Sequence, residues 1–264
     1  MNFSKKLNLN LRQLNKRFSS KFHCLEEKLL IIFIMKRDCL IVIKDFTHRN
    51  FIFKISKLII ENELNGIMDP LSNLPELKIN PSGEISRKFL ELGIKTFKEA
   101  CLFVHEMEYG YNSNKDNKMI LFIEKKGTCT TKHAVIASLA EELKIPLYKK
   151  VGIYKLTETI VTGTNEILKK NKIPYVPMIH CFLIYKQYRF DLTEGNKNGK
   201  NTSIEKFIHE EKVIPFITEK DEYLLFLKVL QEKVLPSKEM VGIDRKTILK
   251  AREEALVLLK KAIQ

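Results

Sequence analysis

The sequence predicts an α+β protein in which a helix that carries a cysteine packs on a short antiparallel sheet, followed by a helical C-terminal extension. Two observations support this prediction. Apolar residues recur at three- and four-residue steps behind Cys129, which indicates an amphipathic helix. Two short apolar segments, 178–185 and 188–192, are separated by only two residues, which is typical of a β-hairpin.

The N-terminal quarter of the chain differs in composition from the rest. The protein has 264 residues and a net charge of +14, and residues 1–67 hold thirteen Lys or Arg against six Asp or Glu. This part is also rich in Ile and Phe, and a proline-containing stretch follows it. The predicted organisation is a basic N-terminal extension over 1–67, a linker over 68–83, a domain over 84–220 and C-terminal helices over 221–264.

Cysteine usage and hydropathy exclude several classes of protein. The five cysteines are irregularly spaced without a CxxC pair, which favours reduced thiols in a cytoplasmic protein over a disulfide framework or a zinc ribbon. The longest uncharged apolar run, Leu29–Met35, is too short to span a bilayer. The positive charge leaves nucleic acid or an anionic surface open as a partner, but no nucleic-acid-binding motif supports either. The oligomeric state is left open.

Local signals place the elements before the cysteine. The apolar run behind residue 28 fits a strand or a buried helix equally well. Ser86 is a candidate cap for a helix over 87–108. Gly127 and Thr128 then form a turn that starts the helix at Cys129, and this helix ends before Pro146, because proline disfavours helical geometry in the residue before it.

Beyond the hairpin, the sequence predicts mostly helices. Residues 202–211 are predicted to form a short capped helix, and residues 212–217 an edge strand because of their internal proline. Two amphipathic patterns over 221–235 and 244–264 predict helices, and the second helix is expected to pack on the domain.

Three residues suggest nucleophilic chemistry. Cys129 is predicted in the first turn of its helix, where unpaired N–H groups and the helix dipole favour a thiolate. A two-residue turn places Tyr185 opposite Tyr188, so that Asp191 becomes the diagonal neighbour of His180. We expect the Asp191 carboxylate to hold Nδ1 of His180 and to leave Nε2 facing the thiol, as in a nucleophile–base–orienter triad.

These motifs resemble the transglutaminase-like superfamily, a branch of the papain-like cysteine enzymes. Gly127-Thr128-Cys129 is similar to the G-x-C of that family, and His180 and Asp191-Leu192-Thr193 follow in the family's order over roughly 84–220. The resemblance implies a papain-like core and attack on a protein or peptide amide, or on another acyl carbon, by hydrolysis or transamidation. The sequence has no acidic run of the calcium-site kind, so we expect no calcium activation, and neither a cofactor nor a metal is predicted. A departure is Leu192, where the family commonly has proline.

Several alternatives remain open from the sequence. His133 is a rival base on the helix of Cys129, and Cys129, His133, His180 and Cys181 together are conceivable metal ligands. The second oxyanion donor is unidentified, with Tyr109, Tyr111 and Asn112 as candidates. The chain is alternatively an inactive binding module that uses its basic surface for an acidic partner, or an acyltransferase of the arylamine acetyltransferase type.

Overall fold

The computed structural model describes residues 71–263, together with the backbone of two short strands in the N-terminal part. These are β1 (Leu30–Phe33) and β2 (Leu40–Ile43), which pair antiparallel. The chain divides into two compact units, Met1–Met68 and Asp69–Gln264. The remaining predictions for residues 1–67 lie outside the described residues.

The second unit is a mixed α+β structure, as the sequence predicted. Its elements within 71–263 follow in chain order: α1 (Glu84–Glu91), α2 (Phe97–Glu106), β3 (Glu108–Tyr109), α3 (Ile120–Glu124), β4 (Lys126–Gly127), α4 (Cys129–Glu142), β5 (Leu147–Leu156), α5 (Thr164–Asn171), β6 (Val176–Tyr185), β7 (Tyr188–Phe190), β8 (His209–Val213), α6 (Glu219–Val229) and α7 (Arg245–Lys261). A π-helical turn, Leu230–Val234, extends α6.

The main sheet is antiparallel, with the strand order β7-β6-β5-β8. Strands β5 and β6 pair over ten residues each, and Gly152 lies opposite His180. Gly152 allows a close approach, because a Cβ atom at this position would come within 2.3 Å of the Phe207 ring. A separate parallel ladder joins β3 to β4 immediately before α4.

Helix α4 is buried on almost all sides, whereas the sequence predicted one buried face. Ten of its fourteen residues are buried, including the polar Thr131, Lys132 and His133. On one side α4 packs with the first large core, to which α1, α2 and the β6–β7 hairpin contribute. The polar side chains are tolerated because each has hydrogen-bond partners, as buried polar groups require.

Two apolar cores lie on different parts of the domain. The first also includes Leu71, Leu74 and Ile79 from the stretch that the sequence predicted as a linker. The second core joins residues of β5 and β6 to α5, α6 and α7. The C-terminal helix α7 therefore packs on the domain, as predicted.

Four local predictions were wrong. The helix predicted over 87–108 is two helices, because Gly93 adopts a left-handed φ of 79° and Thr96 starts α2 by accepting a hydrogen bond from the Glu99 N–H. Helix α1 begins at Glu84, before Ser86. Residues 202–208 form no helix, and the predicted edge strand starts earlier, at His209, and pairs with β5.

Candidate functional site

Cys129 is the first residue of α4, and the turn before it is sterically constrained. Gly127 pairs with Tyr109 in the β3–β4 ladder. A Cβ atom at Gly127 would lie 2.5 Å from both Leu121 Cδ1 and Thr131 Oγ1, so a larger residue does not fit without displacing them. Thr128 is extended, and its side chain makes no capping hydrogen bond. The first-turn N–H groups of α4 thus lack a side-chain cap beside the thiol, which favours a negative charge there.

The β6–β7 hairpin carries the two other predicted residues. Its turn consists of two residues, with Lys186 at a positive φ of 55°, and Tyr185 pairs with Tyr188, as the sequence predicted. The ladder ends at Phe190, so Asp191 is the first residue after β7. His180 Nε2 lies 2.6 Å from Asp191 Oδ2.

Asp191 is itself held in place by the residues that follow it. Its Oδ1 atom accepts hydrogen bonds from the backbone N–H of Thr193 at 2.8 Å and from the Thr193 hydroxyl at 2.6 Å. One carboxylate oxygen therefore faces the imidazole while the other is saturated by its own loop. This arrangement fixes the ring of His180 in orientation.

The orientation of the His180 ring is opposite to the prediction. The sequence predicted Nδ1 at the carboxylate, but Nε2 occupies that position, and Nδ1 is buried without a hydrogen-bond partner in the described part of the chain. The reason is geometric: Asp191 lies beyond the last paired residue of β7, where the ring nitrogen farther from the β6 backbone reaches it. The nitrogen that remains free for proton transfer is Nδ1.

Cys129 and His180 line the same narrow cavity of about 90 Å³. Tyr109, Tyr111 and Tyr154 also line it, so phenol rings surround the space above the thiol. The rings of Tyr154 and His180 meet edge to face, with centroids 6.3 Å apart. Cys129 is 8% exposed and His180 is 2% exposed, so both groups are largely shielded from solvent.

The electrostatics of the cavity favour a thiolate and an imidazolium. The pKa of Cys129 is lowered well below its usual value, first by a hydrogen bond with the Cys181 thiol and then by the charge of His180, against the effect of burial. Burial alone lowers the pKa of His180, but the charges of Asp191 and Cys129 raise it to about 9. Burial by itself would raise the pKa of Asp191, but the charge and the hydrogen bond of His180 hold this pKa well below its usual range.

His133, the rival base, is occupied on both ring nitrogens. Its Nδ1 lies 2.7 Å from the Cys129 carbonyl oxygen, and its Nε2 accepts the backbone N–H of Leu192 at 2.8 Å. The ring is therefore neutral with its proton on Nδ1, and burial lowers its pKa to about 4. His133 joins α4 to the loop behind Asp191, which gives it a positioning role that the sequence spacing did not indicate.

Lys132 is another buried residue of α4, and the sequence did not point to it. Its ammonium group donates to the carbonyl oxygens of His105 and Met107 and to Asn196 Oδ1 at 2.7 Å. Burial lowers its pKa to about 8. Lys132 thereby ties α4 to the chain on either side of the site, and only its position beside His133 on a buried helix could have indicated this.

The candidate oxyanion donors differ in their availability. The Asn112 amide is occupied, because Nδ2 donates to Glu124 and to the Lys126 carbonyl while Oδ1 accepts from Thr131. Tyr109 and Tyr111 line the cavity. Burial raises the pKa of Tyr109 well above its usual value and that of Tyr111 to about 12, so both phenols keep their protons at neutral pH.

A larger cavity of about 510 Å³ lies on another side of His180. It is lined by His180 and Asp191 but not by Cys129. The stacked rings of Phe182 and Phe207, 4.9 Å apart, form part of its wall. The Cys129 thiol lines the smaller cavity, whereas the larger cavity adjoins His180 and Asp191.

Within residues 71–263, no three His, Cys, Asp or Glu side chains are grouped as a metal ion would require. No helix in the same range is long and apolar enough to cross a membrane. Comparisons of the chain with models of protein families, with curated proteins and with solved structures gave no match.

Proposed function

We propose that this protein is a transglutaminase-like cysteine enzyme that attacks an amide or acyl carbon through Cys129, His180 and Asp191. One observation carries the proposal: buried His180 is held through Nε2 by Asp191, its Nδ1 has no hydrogen-bond partner among residues 71–263, and the ring lines the same cavity as the Cys129 thiol. An unpaired buried nitrogen is costly for a purely structural histidine. A base that exchanges a proton with the thiol and a substrate requires a free nitrogen of this kind.

In the proposed reaction, the Cys129 thiolate attacks the carbonyl carbon and forms a C–S bond, which moves the carbonyl electrons onto oxygen. When the oxyanion collapses, the bond to the leaving amine breaks and Nδ1 of His180 gives that amine its proton. A thioester remains on Cys129. A water molecule or a second amine then attacks the thioester while His180 Nδ1 takes its proton, the C–S bond breaks, and the acid or new amide leaves, which restores the Cys129 thiolate beside the His180 imidazolium.

The surroundings of Cys129 supply donors for the oxyanion. The uncapped first-turn N–H groups of α4 and the protonated phenol of Tyr109 border the cavity. Such donors act mainly on the charge that develops in the transition state. With these donors the oxyanion needs no side-chain amide. This agrees with the hydrogen bond that the Asn112 amide donates to Glu124 instead.

The fold is compatible with the resemblance on which the proposal builds. Helix α4 packs against the β5 and β6 strands of an antiparallel sheet. Cys129 stands at the start of that helix and His180 lies within β6. The proposed substrate class, protein or peptide amides, rests on the resemblance alone.

An acyl probe tests the enzyme directly. We expect p-nitrophenyl acetate to give a rapid release of nitrophenol in proportion to the protein, with an acetyl thioester on Cys129 detected by mass spectrometry. Cys129→Ser should abolish the thioester, and His180→Ala should slow its formation by about 10²–10⁴-fold. Cys101→Ser is the matched control, since Cys101 is fully buried and burial raises its pKa. Acetylation of several cysteines at equal, slow rates would favour the inactive binding module.

A further inference from the structure

We propose that the Cys129 cavity selects acyl substrates that carry a carboxylate close to the attacked carbonyl, and that Arg252 and Lys200 bind this carboxylate. The inference rests on the proposed function and names its substrate class. Three cationic side chains, Lys115, Lys200 and Arg252, line the cavity together with one carboxylate, Glu222. In this lining, cationic side chains thus outnumber carboxylates by three to one.

The one carboxylate in this lining is already engaged. Glu222 is 6% exposed, and its Oε1 accepts hydrogen bonds from the Thr130 hydroxyl at 3.1 Å and from the Cys181 thiol at 3.5 Å. Its other oxygen lies 3.9 Å from the Lys115 ammonium, which also pairs with Glu219 at 3.1 Å. Lys115 is therefore balanced mainly by Glu219, and the charge of Glu222 also acts on Arg252, which leaves Lys200 as the third cation of the lining.

Arg252 reaches the cavity from α7. Its guanidinium carbon lies 4.6 Å from the centre of the Phe226 ring and 5.7 Å from that of Tyr223. Among residues 71–263, its Nε atom is buried without a hydrogen-bond partner and no carboxylate forms an ion pair with it, although the charges of Glu222 and Glu253 act on it from farther away. A buried donor without an acceptor is unfavourable. A ligand carboxylate would supply the missing acceptor.

Lys200 approaches the cavity from the loop behind Asp191. Its ammonium lies 5.7 Å from the centre of the Tyr109 ring, and the described part of the chain offers it no ion-pair partner. Its charge lowers the pKa of Cys129 as well as that of His180, which locates it near both members of the reactive pair. With the thiol ionised, Cys129, His180 and Asp191 together carry one negative charge, and Lys200 faces this group without a direct ion pair to a carboxylate among residues 71–263.

The size and chemistry of the cavity define the ligand. A guanidinium presents a planar set of donors that matches a carboxylate. The space of about 90 Å³ is small, so the anion must belong to the acyl part of the substrate, within a few bonds of the carbonyl. The first-turn N–H groups of α4 add further favourable potential for an anion. Amides of small dicarboxylic acids or of acidic side chains meet these requirements.

Two alkylating reagents of similar size separate charge selection from thiol reactivity. Iodoacetate carries a carboxylate and iodoacetamide a neutral amide at the same position, and in both the thiolate displaces iodide from the CH₂ carbon. The rate of each reaction at Cys129 is followed by mass spectrometry and divided by its rate with a cysteine peptide. We expect the normalised rate of iodoacetate to exceed that of iodoacetamide by roughly tenfold, equivalent to ~1.4 kcal/mol.

Variants identify the groups responsible. Arg252→Gln and Lys200→Gln should each lower the iodoacetate preference several-fold while the iodoacetamide rate, read at a pH where the thiolate is complete, changes little. Lys250→Gln is the matched control, since Lys250 is exposed on the same helix and does not line the cavity. Thermal unfolding shows that each variant is folded, and Arg252→Lys tests whether the planar group itself is needed.

The outcomes are separable. A fast reaction of Cys129 with both reagents, without a preference for iodoacetate, overturns the carboxylate site and leaves the proposed enzyme intact. If the iodoacetate preference persists in both Arg252→Gln and Lys200→Gln, it comes from His180 or from the N-terminus of α4, and the inference is also overturned. If Cys129 reacts with neither reagent faster than Cys101 does, the proposed function fails, and the substrate class fails with it.

Discussion

The carboxylate of Asp191 should determine the pH at which Cys129 becomes reactive. Asp191→Asn keeps the shape of the side chain and an oxygen that can accept from Thr193, but removes the charge beside His180 Nε2. With the carboxylate present, the pKa of His180 rises from 6.5 to about 9. This rise corresponds to roughly 3 kcal/mol in favour of the imidazolium, since one pKa unit is worth ~1.4 kcal/mol.

In Asp191→Asn, the carboxylate charge no longer offsets the effect of burial on His180, so the pKa of His180 should fall below about 7. At neutral pH the ring would then be largely uncharged, and the pKa of Cys129 should rise towards the ordinary thiol value of ~8.5. The rise should be incomplete, because the Cys181 hydrogen bond and the helix end still favour the thiolate. At about pH 6.5 the rate of alkylation should fall at least tenfold.

The assay is the iodoacetamide rate at Cys129, measured from about pH 5 to about pH 9 by mass spectrometry. Thr193→Val is a graded comparison, because it removes only the hydroxyl donor to Asp191 Oδ1 and should shift the profile less in the same direction. Circular dichroism and thermal unfolding establish that both variants are folded. A folded Asp191→Asn protein with the wild-type pH profile would refute the coupling between Asp191, His180 and the thiol.

Three further predictions concern stability. Because the pKa of His133 is lowered to about 4, the protein should lose stability as the pH falls from ~6.5 to about 4. The raised pKa of His180 has the opposite effect: its contribution to stability is complete below ~6.5 and is lost as the pH rises through about 9. His133→Gln should therefore flatten the acid side of the plot of Tm against pH and His180→Gln the alkaline side, and unchanged plots would contradict this. Gly127→Ala should lower the free energy of unfolding, measured in urea, by about 1–3 kcal/mol. Gly110→Ala should lower it less, because the added carbon meets only a flexible lysine side chain. Equal losses in the two variants would contradict the steric argument. A chain that begins at Met68 should unfold in one cooperative transition, since both large cores lie within 71–263, and a broad, non-cooperative transition in calorimetry would refute this.

Local patterns in the sequence were enough to predict the hairpin and the start of α4. The two-residue turn fixed the pairing of Tyr185 with Tyr188, and the turn at Gly127 placed Cys129 at the beginning of its helix. Both features depend on residues that are adjacent in the chain. The break between α1 and α2 was also encoded locally, by Gly93 and by the pair of Thr96 with Glu99, but the continuous apolar pattern obscured it.

Features that depend on contacts between distant segments could not be predicted in the same way. The contribution of Arg252 to the Cys129 cavity requires that α7 pack against β6, about seventy residues earlier in the chain. The all-round burial of α4 likewise depends on the helices and strands that surround it. Side-chain periodicity identifies which face of a helix is apolar, but not which polar residues of the helix find partners in the interior.

The arrangement around Asp191 explains why His180 rather than His133 holds the proton. Asp191 Oδ2 lies 2.6 Å from His180 Nε2, whereas Asp191 Oδ1 lies 3.5 Å from His133 Nε2 and accepts both bonds from Thr193. In addition, His133 Nε2 accepts the Leu192 N–H, so a proton on this nitrogen would break that bond and leave a buried donor unpaired. A single backbone N–H therefore keeps one histidine neutral, so that the carboxylate next to it acts on the other. The two buried imidazoles, with centroids 6.4 Å apart, have opposite pKa shifts: burial lowers the pKa of His133 to about 4, whereas the charges of Asp191 and Cys129 raise that of His180 to about 9.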